Sequence, residues 1–96
     1  MNREQFEAIT KWQRETFPNA TPLSKVAHLK QELEELRIDL EAGVPSRKSE
    51  FADCFMLLFG AANADGMTYD DICACINSKM EINRLRKWVN QMLMVS

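Results

Sequence analysis

The chain has 96 residues, 46% of them hydrophobic, and a formal net charge of −2. That size allows one domain spanning residues 1–96, with a core thin enough that oligomerisation is expected. No run of Lys or Arg is long enough to grip a nucleic-acid polymer. No stretch approaches the roughly 20 apolar residues that cross a bilayer, and the polar residues 1–5 lack the apolar core of a secretory signal.

In chain order, Phe6, Ile9 and Trp12 recur at three-residue steps and predict an amphipathic helix from Asn2 to about Phe17. Residues 18–22, with two prolines, break it. A second helix is expected from Pro22 or Ser24 to about Ala42, carrying a stripe of Val26, Leu29, Leu33, Leu36 and Leu40. Gly43 followed by Pro45 ends it in the order that helix termini favour. Ser46 or Ser49 is the expected N-cap of a third helix running to about Asp65. Its segment FADCFMLLFGAA is apolar nearly all round, which predicts a central, buried helix. Thr68 and Asp71 read as a capping box for a fourth helix extending to about Met94. With no strand pattern and short loops, the expected fold class is all-α, a compact four-helix bundle with the second and third helices antiparallel.

The three cysteines, Cys54, Cys73 and Cys75, are odd in number and sit in apolar helical context. They read as buried, reduced thiols, pointing to a cytoplasmic location rather than to a disulfide or zinc site.

Two carboxylate pairs carry the chemistry: Glu32-x-x-Glu35 on the second helix and Glu50-x-x-Asp53 opening the third. A step of three puts both members of a pair on adjacent turns of one face. Any single E-x-x-E is usually a solvated face. Two pairs on antiparallel neighbours, each beside the apolar side, would crowd four negative charges together unless a cation sits among them. Oxygen donors of this kind suit Mg²⁺, with Mn²⁺ as a substitute, and a phosphate-rich substrate. Glu34 and Glu41 fall on the solvent side beside Lys30, where Lys30 and Glu34 form an ordinary surface pair. Glu50 and Asp53 should both look along the inner surface of the bundle. On the fourth helix, Lys79, Asn83 and Arg86 prolong the stripe begun by Ile72 and Ile76, which should face the core. Two cations and an amide placed there suit phosphate oxygens.

With these residues in view, the chain resembles MazG-type nucleoside triphosphate pyrophosphohydrolases. The E-x-x-E, spacer, E-x-x-D pattern matches Glu32, Glu35, Glu50 and Asp53, and residues 79–88 resemble a K-x-x-x-N-x-x-R-x-W ending closed by Trp88. Residues 12–17 and 28–33 resemble the short, single-domain members, and the likeness covers about residues 10–90. The resemblance implies an α-helical homodimer or homotetramer whose clefts are built partly by a neighbouring chain. It implies hydrolysis of a nucleoside triphosphate, typically a dNTP, between the α- and β-phosphates to a monophosphate and pyrophosphate, in a housecleaning role. In that setting Glu32, Glu35, Glu50 and Asp53 are the metal-ligand candidates, and Glu35 is the candidate proton acceptor for the attacking water. Lys79, Asn83 and Arg86 would meet phosphate or sugar, and Trp12, Phe17 and His28 are candidates for a base pocket. Two other readings compete: a non-catalytic helical adaptor that dimerises through the second and third helices, and a related helical phosphoanhydride hydrolase such as a phosphoribosyl-ATP pyrophosphohydrolase.

Overall fold

Local signals at the helix ends set the frame. In the computed structural model, which describes residues 1–45 and 47–86, Asn2 accepts a hydrogen bond from the Gln5 amide and opens α1, Arg3–Thr16. Thr21 and Ser24 cap each other's backbone amides and Pro22 fills the first turn, so α2 runs Pro22–Ala42. It stops at Gly43, whose φ of 70° is a left-handed conformation that other residues adopt only with strain. Helix α3 spans Arg47–Ala64; Ser46, one of the two expected caps, lies outside the described residues. The reciprocal Thr68–Asp71 box opens α4, Tyr69–Leu85.

Four helices and no strand among the described residues make the all-α bundle that the periodicity predicted. The longest contact is α2 along α3; α1 lies across α3 and touches the start of α4. Phe6, 2% exposed, anchors that corner between Phe59 and Tyr69, with ring centroids 6.2 and 5.7 Å away. Burying such a ring stabilises by about 1.5–3 kcal/mol. Arg3 adds a 2.6 Å ion pair to Asp70 and lies over the Tyr69 ring. Both partners are exposed, so the pair adds little stability.

Several expectations need correction. The apolar run of α3 is buried on one side only: Cys54, Gly60 and Ala61 are covered, whereas Phe51, Phe55 and Leu58 face out. The α2 stripe divides in the same way, with Leu36 buried and Leu29 half-buried but Val26, Leu33 and Leu40 exposed. On α4, Ile72 is buried but Ile76 is 54% exposed, and the helix ends at Leu85 with Arg86 already extended, short of Met94. Lys87, Trp88 and the rest of the expected fourth helix lie outside the described residues. For α2 and α3 the cause is shared: α1 and α2 cover one side of α3, and no described residue covers the other. Of the cysteines only Cys54 is buried, Cys75 is exposed, and all three are free thiols. Glu34 pairs with Arg37, which also holds Glu41, so the expected Lys30–Glu34 pair does not form.

Candidate metal and nucleotide site

The residues of α2 that lose solvent follow one line: Pro22, Lys25, Leu29, Glu32, Leu36 and Asp39, at alternating steps of three and four. This line faces α3, so acids and leucines share the interhelical seam. Across it stands Glu50, in the first turn of α3 and half-buried, where the helix N-terminus favours negative charge.

One carboxylate oxygen from each of Glu32, Glu35 and Glu50 lies within 4.8 Å of the other two. Oxygens sharing one Mg²⁺ at about 2.1 Å stand roughly 3–4 Å apart, so small side-chain rotations bring these three into range. Asp53 does not join that trio. It is exposed, contrary to expectation, and lies one turn further along α3, where it lines the adjoining cavity with Glu32.

The electrostatics mark the trio as uncompensated. Burial pushes the Glu50 carboxyl above its ordinary value, and the charges of Asp39, Glu32, Glu35 and Asp53 push it further. Glu35 is raised chiefly by the charge of Glu32 and by a hydrogen bond with it. Burial and three of these acids also raise the Cys54 thiol beneath them. Glu50 Oε2 is buried with no hydrogen-bond partner, a costly state for a carboxylate oxygen. A hard divalent cation relieves both the repulsion and the orphaned oxygen, so the donor set fits one.

A cavity of about 340 Å³ opens from Glu32 and Asp53 toward Trp12, Phe17 and His28. Trp12 and Phe17 meet edge to face with centroids 5.8 Å apart, each about half exposed. His28 stands between the aromatics and the acids, 3.2 Å from Glu32 Oε1. The structure thus gathers seven of the ten candidate residues around this cavity and the carboxylates at its mouth, whereas Lys79, Asn83 and Arg86 do not line it. Lys79 is exposed on α4 and Arg86 is exposed just beyond its end, and the described packing of α4 is against α1.

Two residues at the site were absent from the sequence candidates. Gln13 is 5% exposed, lines the cavity and donates from Nε2 to the Met56 carbonyl at 2.9 Å. Lys25 lines the same cavity from the first turns of α2. Its four–three spacing with Leu29, Glu32 and Leu36 was the available signal.

A family model described as dATP/dGTP pyrophosphohydrolase matches residues 5–93. No curated protein and no solved structure matches the chain.

Proposed function

The chain belongs to the dATP/dGTP pyrophosphohydrolase family, and we propose that it hydrolyses a purine deoxynucleoside triphosphate between the α- and β-phosphates, with Mg²⁺ held by its clustered carboxylates. The observation that carries this reading is the convergence of Glu32, Glu35 and Glu50 around the buried, unpartnered Glu50 Oε2, at the mouth of an aromatic-walled cavity.

Glu32, Glu35 and Glu50 would hold the cation, with Asp53 at the cavity rim as a further ligand. A bound Mg²⁺ supplies charge neutralisation at the phosphate oxygens and a Lewis acid for the attacking water. Glu35 is the most exposed of the trio and its carboxylate is made more basic by Glu32, which suits it to take a proton at a carboxylate oxygen. His28, bonded to Glu32, orients that carboxylate. Trp12 and Phe17 offer ring faces for the purine, and Gln13 holds α1, which carries Trp12, against α3.

A second chain completes the site in this account, making a homodimer or a dimer of dimers. The support is the uncovered apolar surface, including Leu33, Leu40, Phe55 and Leu58, together with the position of Lys79 and Arg86 away from their own chain's cavity. From a partner, Lys79, Asn83 and Arg86 would meet the triphosphate. Removal of surplus purine deoxynucleotides in the cytoplasm suits this activity, and the free thiols suit a reducing compartment.

Titration calorimetry with Mg²⁺ and a non-hydrolysable dGTP analogue tests the reading. Wild-type protein gives a saturable heat for the metal and nucleotide together, and Glu50→Gln gives none. Equal heats from the two proteins contradict it.

A further inference from the structure

Lys25 stands seven residues before Glu32 on one face of α2, two turns or about 10 Å along the axis. It is half-buried, and with Phe17 and Ala20 it lines both the main cavity and the adjoining one of about 210 Å³. It makes no ion pair with any described residue. The first turn of α2 holds no acid, and a helix N-terminus disfavours a cation. A half-buried ammonium in that position therefore lacks a compensating charge among the described residues.

A ligand carrying acceptors would supply it. The acids at the other end of the cavity take the phosphates in the reading above, on which this inference rests. A triphosphate anchored there extends its sugar and base toward Trp12, Phe17 and Lys25, so the ammonium is level with the base rather than with the α- and β-phosphates. The two purines differ at the edge an ammonium reads. Guanine presents O6 and N7 as adjacent acceptors, whereas adenine presents N7 beside the N6 amine, a donor that repels another donor.

We propose that Lys25 reads the O6/N7 edge of the substrate base and sets a preference for 6-oxopurine over 6-aminopurine deoxynucleotides. The preference resides in the lysine, not in the aromatic walls, because stacking on Trp12 and Phe17 is tolerant of base identity.

The test compares kcat/KM for dGTP, dITP and dATP in wild-type enzyme, Lys25→Met and Lys25→Arg, with far-UV circular dichroism to show unchanged helix content. The inosine nucleotide keeps O6 and N7 and lacks only the 2-amino group. Wild type should favour dGTP and dITP over dATP by about ten-fold or more. Lys25→Met should erase that ratio and Lys25→Arg should keep most of it. The ratio is internal to each preparation, so partial loss of folded protein does not imitate the effect. An equal loss on all three nucleotides assigns Lys25 to phosphate binding and overturns the inference, as does a wild-type preference for dATP. Absence of pyrophosphate release from every nucleotide by wild type with Mg²⁺ overturns instead the reading of the site.

Discussion

Gln13 on α1 and Gly60 on α3 meet so closely that Gly60 has no room for a side chain: a Cβ there would collide with Gln13 Oε1 and stand 2.8 Å from its Cδ. The carboxamide is held in place by its bond to the Met56 carbonyl, so it cannot simply swing aside. Gly60→Ala improves helix propensity by about 1 kcal/mol. Overpacking a fixed neighbour costs about 1–3 kcal/mol, so the net effect is destabilising. The double variant Gln13→Ala, Gly60→Ala should be more stable than the sum of the single effects predicts, because the first removes what the second hits. Urea midpoints of the four proteins read this coupling, and strict additivity would show that the contact is not tight.

The crowding around Glu50 fixes a pH dependence. Its folded-state pKa is raised above the ordinary 4.5, as is that of Glu35, so the folded protein binds more protons than the unfolded one just above that value. Stability of the metal-free protein therefore falls as pH rises through the folded values. Asp70 and Glu34 are lowered by Arg3 and Arg37, and their contribution is lost only on acidification below the ordinary carboxylate range. Thermal unfolding should thus show a higher Tm near pH 5 than at pH 8 without metal, and saturating Mg²⁺ should shrink the difference. Glu50→Gln should raise the metal-free Tm at pH 8 while abolishing metal binding. A Tm that climbs from pH 5 to pH 8 in wild type would count against the uncompensated cluster.

Trp12 lies half exposed on the cavity wall, facing Phe17. If a purine stacks there, a Trp88→Phe background that leaves Trp12 as the sole indole should lose fluorescence on adding a dGTP analogue. Trp12→Ala should raise KM by about ten-fold or more with a smaller change in kcat, as loss of one base–aromatic stack implies. Unchanged fluorescence and KM would move the base elsewhere.

The proposed sharing of clefts between two chains predicts complementation. Chains carrying Glu50→Gln and chains carrying Arg86→Ala should each be inactive alone. Mixed and re-associated, a symmetric dimer regains up to about a quarter of wild-type turnover, because half of the chains pair across and one of the two clefts in each such pair is intact. No recovery on mixing would place Arg86 at its own chain's site or outside catalysis.

Much of the frame was legible from local chemistry. Thr21-Pro22 at one end of α2 and Gly43 at the other fix its limits because capping is a matter of a few adjacent residues. The E-x-x-E spacing likewise placed Glu32 and Glu35 on one face, since helical periodicity alone decides it. What stayed hidden depends on neighbours. Val26, Leu33 and Leu40 repeat every seven residues, as do Leu29 and Leu36, and periodicity cannot say which set meets α3. Phe55 and Leu58 read as core because a helix that is apolar nearly all round does not mark which of its sides the neighbouring helices cover. Lys25 is not legible in the sequence because a lysine near a helix start is ordinarily solvated, and only the cavity beside Phe17 gives it a task. The spacing of Arg86 continues the stripe of a helix whose last described turn ends one residue earlier.

In the proposed function, the clustered carboxylates direct metal-dependent cleavage between the α- and β-phosphates. Phosphorus NMR of dGTP incubated with the protein and Mg²⁺ reads it directly. The account predicts that inorganic pyrophosphate and dGMP appear together in equal amounts, that EDTA stops them, and that Glu35→Gln does so with helix content intact. Release of orthophosphate with dGDP, or undiminished turnover in Glu35→Gln or under EDTA, would contradict it.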